Sequence, residues 1–283
     1  MTVIENQSFE QERSLYNLTD ATVRHCRFEG EADGESVLKE ARNITVEDSS
    51  FSLRYPLWHN RGLVLRDSRL CEPSRAPLWY CEDGVVERTA IESVKALREC
   101  RRFRIQSSDI HSPEFGWKCD GIELCGGSLV SEYAFLESKN VTVTGLAFGG
   151  KYSFQYMENL TVTDSRLDTK DAFWHSRNVT VRDSVVKGEY LAWFSENLTL
   201  ERCRIIGTQP LCYCKGLRLI DCEMTDTDLA FEYSEVDAQI RGSIDSVVNP
   251  LSGRIVCDGL GELVHQPAVM ECRGEVIIRG EHK

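Results

Sequence analysis

Five segments of this chain start 19 residues apart and read almost alike: Asn140-Val-Thr-Val, Asn159-Leu-Thr-Val, Asn178-Val-Thr-Val, Asn197-Leu-Thr-Leu and Gly216-Leu-Arg-Leu. A unit that short cannot bury a core alone, so a strict period of this length restricts the fold to a stack of similar units. The pattern runs back more loosely through Gly121-Ile-Glu-Leu, Arg102-Phe-Arg-Ile, Gly84-Val-Val-Glu, Gly62-Leu-Val-Leu, Asn43-Ile-Thr-Val and Asp20-Ala-Thr-Val, and forward to Val236-Asp-Ala-Gln. One domain is expected over 1–283, with repeat coils over 20–244, an N-terminal cap over 1–19 and a last coil and cap over 245–283.

Each unit alternates apolar and polar residues, as in Val179-Thr180-Val181-Arg182, which is the period of a strand. Two or three short strands and their corners fill one coil. The expected fold is all-β: a single-stranded, right-handed parallel β-helix, with about a dozen coils at roughly 4.8 Å each. Helical repeats need about 33 residues or more, and the leucine-rich signature is absent. The corner asparagines Asn43, Asn140, Asn159, Asn178 and Asn197 suit a ladder of side-chain amides, with glycine taking that place at 62, 84, 121 and 216. Their N-x-T matches are a by-product of a threonine pointing out of the strand, not glycosylation sites.

The chain has no apolar run of membrane length, and its first residues (Glu5, Asn6, Gln7, Glu10) are polar where a signal segment would be apolar. A cytoplasmic location is expected. The net charge of −12 argues against nucleic acid and anionic membrane as partners. Most of the 12 cysteines share columns with small residues. Cys26, Cys203 and Cys222 align with Ser49, Ser68, Ser108, Ser165 and Ser184; Cys100, Cys119 and Cys214 align with Ala41, Ser138, Ser176, Ser195 and Ser234. Without a C-x-x-C pair they read as packing residues, and no metal site is expected.

All five tryptophans, Trp58, Trp79, Trp117, Trp174 and Trp193, recur at one position, with spacings of 21, 38, 57 and 19. Beside the apolar column of Leu57, Leu78, Leu97, Phe135, Phe154, Phe173 and Leu211, they fall in an outward column with Lys39, Arg98, Leu136, Gln155 and Cys212. Four residues earlier runs a charged column of Glu35, Arg54, Arg75, Glu132, Lys151, Lys170 and Glu189. One residue after the tryptophans, Glu40, His59, Tyr80, Glu99, Lys118, Glu137, Tyr156, His175, Phe194, Tyr213 and Tyr233 would face inward under strict alternation. Burying those charges is too costly, so the strand must bend there. An indole row flanked by charges offers either a ring-stacking surface for a saccharide or similar ligand, or a structural ladder.

The blocks Ala32–Ser36, Ser52–His59, Arg75–Tyr80, Ser112–Cys119, Lys170–Ser176 and Gly207–Cys214 resemble the bacterial family called domain of unknown function 3737. The resemblance covers nearly the whole chain and implies a pectin-lyase-like β-helix; it carries over no catalytic residues. The Asn-Thr-Asp, Asp-Asp, Gly-His-Gly and Arg-Ile-Lys motifs of polygalacturonases are absent. A lyase would need a basic residue and acidic calcium ligands, and those residue types are present on the wall.

Two readings follow. In one, the wall binds a saccharide or other ring-bearing ligand through the five tryptophans with Arg54, Arg75, Lys151 and Lys170. An acid–base pair for lyase- or hydrolase-type chemistry would then come from Glu114, Glu132, Asp171, His175 and Glu189. In the other, the chain is a non-catalytic solenoid that holds a protein partner or copies of itself. No cofactor is expected beyond calcium in the lyase case.

Overall fold

The structure, a computed structural model, describes residues 2–30, 36–267 and 269–280, so Glu35 of the charged column lies outside it. The chain forms two compact units, Met1–Ala147 and Phe148–Lys283. Each is a parallel β-solenoid, and no helix occurs among the described residues.

In the first unit the six-residue strands Arg42–Glu47, Arg61–Arg66, Glu82–Glu87, Arg101–Gln106 and Asp120–Cys125 stack in parallel. Ile44 lies opposite Leu63 and Ile105 opposite Leu124, both steps of 19, but Val64 lies opposite Val85, a step of 21. The two extra residues sit in the Cys71–Arg75 turn, because Phe51 still pairs with Leu70 while the Arg75 N–H bonds the Arg54 carbonyl at 3.0 Å. That insertion corrects one expectation. Asp83, with φ of 57°, takes the corner opposite Gly62, and Gly84 lies one place on, in the inward row. A Cβ at Gly84 would come within 2.2 Å of the Phe103 ring, so the glycine makes room for that buried phenylalanine.

Thr2–Glu5 pairs in register with Ala21–Arg24, which makes it the strand of a further coil. A second row of short strands, including Ala90–Glu92, Asp109–His111 and Ser128–Ser131, forms the next wall. The rows turn inward at Phe9, Phe28 and Phe51, whose rings stack at 5.0 and 4.6 Å. Phe28 and Phe51 are fully buried, and covering such a side chain contributes about 1.5–3 kcal/mol.

The second unit repeats the plan with strands Glu158–Thr163, Arg177–Arg182, Glu196–Glu201, Leu217–Thr225, Glu235–Arg241, Ser252–Cys257 and Glu275–Ile278. Leu160 lies opposite Val179 and Leu200 opposite Leu219, steps of 19. The step then falls to 17 (Val236 to Gly253) and rises to 21 (Ile255 to Val276), which is why the repeat fades from the sequence while the coiling continues.

Corners and fillers follow from backbone chemistry. The corner residues hold left-handed φ (Asn43 51°, Asn140 54°, Asn178 54°, Asn197 54°), which asparagine and glycine tolerate best. Their amides form the expected ladders: Asn197 Nδ2 donates to Asn178 Oδ1 at 3.2 Å, and Asn178 Nδ2 to Asn159 Oδ1 at 3.0 Å. The small residues also satisfy buried N–H groups. Cys26, Ser49, Thr89 and Ser165 donate their N–H to the hydroxyls of Ser49, Ser68, Ser108 and Ser184 one coil on. Within the core, Cys81, Cys100 and Cys119 point their thiols at the carbonyls of Leu57, Leu78 and Leu97. Burial raises the pKa of Cys100, and pushes that of Cys214 up to about 12, which keeps these thiols protonated and suits packing.

Candidate indole walls

The third wall of each coil is not extended. Left-handed φ alternates along it, at Leu57 (63°) and His59 (58°), Leu78 (54°) and Tyr80 (58°), Phe173 (63°) and His175 (54°). Period two therefore breaks, as the charge argument requires. Leu57 points into the core, Trp58 and His59 both face outward, and Asn60 is buried again. All five tryptophans are half-buried, and the column after them is exposed at His59, Tyr80, Glu99, Lys118, Glu137, Tyr156, His175 and Phe194. Cys212 departs from the outward column: it is 1% exposed, its short side chain packed against the carbonyls of Gln209, Pro210 and Leu229.

In the first unit the rings lie flat on one another. Trp58 and Trp79 stack at 5.1 Å and 7°, the Arg98 guanidinium sits between Trp79 (5.1 Å) and Trp117 (5.2 Å), and Lys39 covers Trp58 at 6.0 Å. In the second unit Trp174 and Trp193 stack at 5.4 Å and 2°. Beside them Tyr156, His175, Phe194 and Tyr213 form a second stack, at 5.0, 5.0 and 4.8 Å.

The indole N–H groups are committed too. Trp79 Nε1 donates to the Lys95 carbonyl at 2.9 Å, Trp117 to Tyr133 at 2.6 Å, Trp174 to Tyr190 at 2.5 Å and Trp193 to Gln209 at 2.8 Å. Trp58 does the same to Ala76. Gln155, at the same column position, sends its Nε2 to the Asp171 carbonyl at 2.8 Å. Trp and Gln thus share one job here, a side-chain N–H that ties each coil to the next. Stacked faces and spent donors make the indoles a ladder, and where rings overlap only their edges reach solvent.

A groove of about 400 Å³ opens over the Trp58–Trp79 pair, lined by Ser36, Lys39, Tyr55, Trp58, Arg75, Ala76, Trp79 and Lys95. Among the described residues three cations and no carboxylate line it. Lys95 holds Glu114 at 3.1 Å, whereas neither Lys39 nor Arg75 has a carboxylate partner among the described residues. Tyr55 meets Trp58 edge-on at 5.6 Å, with the Arg54 guanidinium 5.6 Å over its ring. Aromatic edges carry the positive part of the ring quadrupole, so indole rims and cations add to one electropositive pocket in a chain of net charge −12.

Of the proposed acids and bases, Glu114 and Glu132 belong to the first unit and Asp171, His175 and Glu189 to the second. In the first unit Glu114 is tied to Lys95 and Glu132 is half-buried. In the second, Lys170 pairs with Glu189 at 2.9 Å and lies 5.4 Å over Tyr190, while exposed His175 is sandwiched between Tyr156 and Phe194. Asp171 is 7% exposed, and its N–H donates to the Glu189 carbonyl at 3.0 Å. Burial holds its pKa above the ordinary aspartate value; nearby Lys170 opposes that shift and Glu189 adds to it. Lys151 is exposed beside Tyr152, 5.7 Å from its ring. Among the described residues no group of three or more His, Cys, Asp or Glu is arranged to hold a metal ion.

The chain matches the model of the family described as Protein of unknown function (DUF3737) over residues 2–278. It belongs to that family. Among solved structures it is similar to HetL, a pentapeptide repeat protein involved in heterocyst differentiation regulation from the cyanobacterium Nostoc sp. strain PCC 7120. That alignment has 11% identity over 78% of this chain and 92% of that one, with a TM-score of 0.28. It is also similar to the A-module of the Azotobacter vinelandii mannuronan C-5 epimerase AlgE4, at 10% identity, 98% and 89% coverage and a TM-score of 0.32. Likenesses this distant carry no argument about chemistry. No curated protein matches.

Proposed function

We propose that this member of the family is a binding protein whose first unit takes an anionic, ring-bearing ligand in the groove over Trp58 and Trp79. The observation that supports the reading is the lining: Lys39, Arg75 and Lys95 converge there with no carboxylate among the described lining residues, and of the three only Lys95 has an acidic partner among the described residues, Glu114. A volume of about 400 Å³ suits a small ligand. A carboxylate or phosphate would meet Arg75 and Lys39 through charge-assisted hydrogen bonds, and the ring would lie against Tyr55 and the indole rims. An acidic or phosphorylated saccharide is the class to test first. Its sugar faces do not stack on the indoles where neighbouring rings already cover them.

Titration calorimetry with matched acidic, phosphorylated and neutral oligosaccharides tests this reading. Binding of a charged form but not the neutral one, lost in Arg75→Ala, is the expected result. Equal binding of neutral and charged forms, or none of any, overturns it. The two charged forms compared with each other tell carboxylate from phosphate.

A second reading concerns the second unit, where Asp171 combines burial with a raised pKa beside the Lys170–Glu189 pair. Such a carboxyl can hold a proton to give to a leaving oxygen. If it does so, turnover of a saccharide falls in Asp171→Asn while ligand binding in the first unit is unchanged; activity retained in that variant ends the reading.

A further inference from the structure

In the second unit the strand Glu275–Ile278 has one edge with no strand partner among the described residues. Glu275–Ile278 pairs with Ser252–Cys257 on one side, Arg254 opposite Glu275 and Cys257 opposite Ile278, and no described residue pairs with its other side. The Arg279 N–H donates to the Cys257 carbonyl at 2.9 Å. By strand alternation Glu275, Ile277 and Arg279 therefore aim their backbone groups at that inner neighbour, and Val276 and Ile278 aim theirs outward. The core is open here as well: Val276 and Ile278 are only half-buried, whereas Ile255 and Cys257, one coil back, are 0% exposed. Ile277 is 39% exposed on the outer face. An apolar edge of this kind templates further pairing unless something covers it.

We propose that a second copy of this chain covers it, the two Glu275–Ile278 strands pairing antiparallel about a two-fold axis through Ile277. The sequence of the strand selects the occupant. In Glu275-Val-Ile-Ile-Arg279 an acid and a base flank an apolar centre, so self-pairing centred on Ile277 sets Glu275 opposite Arg279 of the second copy. Glu275 has no ion-pair partner among the described residues, and Arg279 holds Asp258 at 2.5 Å with guanidinium donors to spare. The same register sets Val276 opposite Ile278 of the second copy. Those are the residues with outward backbone groups, so each such pair exchanges two hydrogen bonds, and Ile277 meets itself at the non-hydrogen-bonded site. A two-fold axis normal to the strand face keeps Val276 and Ile278 on the core side in both copies, and two open cores close on each other. Charge, hydrogen-bond parity and facing thus agree on one register.

Sedimentation velocity of the full chain from micromolar concentrations upward should show a dimer. Val276→Pro deletes an outward N–H without touching the inner ladder, and Ile277→Lys sets two ammonium groups against each other; each should weaken the dimer about tenfold or more, the scale of losing about 1.4 kcal/mol. Ile277→Cys should cross-link under mild oxidation well beyond the wild-type background, because Cα atoms about 4.5 Å apart at a non-hydrogen-bonded pair fit a disulfide. Glu275→Cys should not. Far-UV circular dichroism checks that the variants stay folded. A wild-type monomer, a dimer indifferent to Val276→Pro and Ile277→Lys, or no added cross-linking in Ile277→Cys overturns the proposal.

Discussion

The two indole walls share a backbone and differ in what they hold. In the first unit the column runs Lys39, Trp58, Trp79, Arg98, Trp117, so cations are interleaved with rings, and Lys39, Trp58 and Trp79 line a groove. In the second unit Trp174 and Trp193 stand beside a run of Tyr156, His175, Phe194 and Tyr213, and the nearby Lys170 is neutralised by Glu189. The same alternation of left-handed residues builds both, so the wall is a scaffold and not itself a site. What the first unit adds is two cations, Lys39 and Arg75, with no carboxylate partner among the described residues, and that difference carries the functional reading.

The comparison breaks most readily at the rings. Trp79→Ala and Trp193→Ala should each cost about 2–3 kcal/mol by chemical denaturation, somewhat under the loss for a fully buried aromatic, because each removes stacked area and a coil-to-coil hydrogen bond. Only Trp79→Ala should also abolish binding of the acidic ligand. If Trp193→Ala abolished it equally, the walls would not differ as described. Next in size are the cations. Lys39→Ala and Arg75→Ala should each weaken that binding about tenfold, near 1.4 kcal/mol, with unfolding midpoints unchanged, and Lys170→Ala should leave affinity alone. Added salt should lower the wild-type affinity, since the groove is open to water.

Smaller again is the effect of Trp193→Gln, which should retain about 1 kcal/mol that Trp193→Ala loses, because Gln155 already reaches the next coil's carbonyl from that column. Smallest is a pH effect confined to the second unit. Burial raises the Asp171 pKa, so the folded state binds its proton more tightly than the unfolded state and stability falls as pH rises from the unfolded value of 3.8 through the folded one. Asp171→Asn should therefore stabilise the protein at neutral pH, with the advantage vanishing below that window. An advantage that instead grew in acid would contradict the assignment. Asp183 behaves oppositely: its hydrogen bond from Arg202 lowers its pKa, so its contribution fades only as pH falls through that lowered value.

Much of the solenoid was legible in the letters because one residue per coil becomes one column, and the corner asparagines and the serine and cysteine fillers recur where a sharp turn or a small side chain is required. The bend at the wall was legible too, since charged residues at 99, 118 and 137 could not all be buried. What the period could not report is rotation about side-chain bonds. Equal spacing puts Trp58 and Trp79 in one column whether their faces look outward or at each other, and the stacked arrangement followed only from the 7° between their planes. Nor could it place an insertion: the 21-residue step was visible between those tryptophans, but its position at Cys71–Arg75, and with it the displacement of Gly84 from the corner, depended on backbone pairing. Of the groove cations only Arg75 was among the expected ligand-binding residues; Lys39 was read as a member of the outward column, and Lys95 was missed because no other lysine or arginine recurs in its column.

The indole N–H resonances read both walls at once. In a 15N-labelled sample titrated with the charged oligosaccharide that binds, the Nε1–H signals of Trp58 and Trp79 should shift with saturation while those of Trp174 and Trp193 stay in place. Shifts at Trp174 and Trp193, or no movement at Trp58 and Trp79 in a chain that calorimetry shows to bind, would contradict the claim that the groove cations of the first unit make the site.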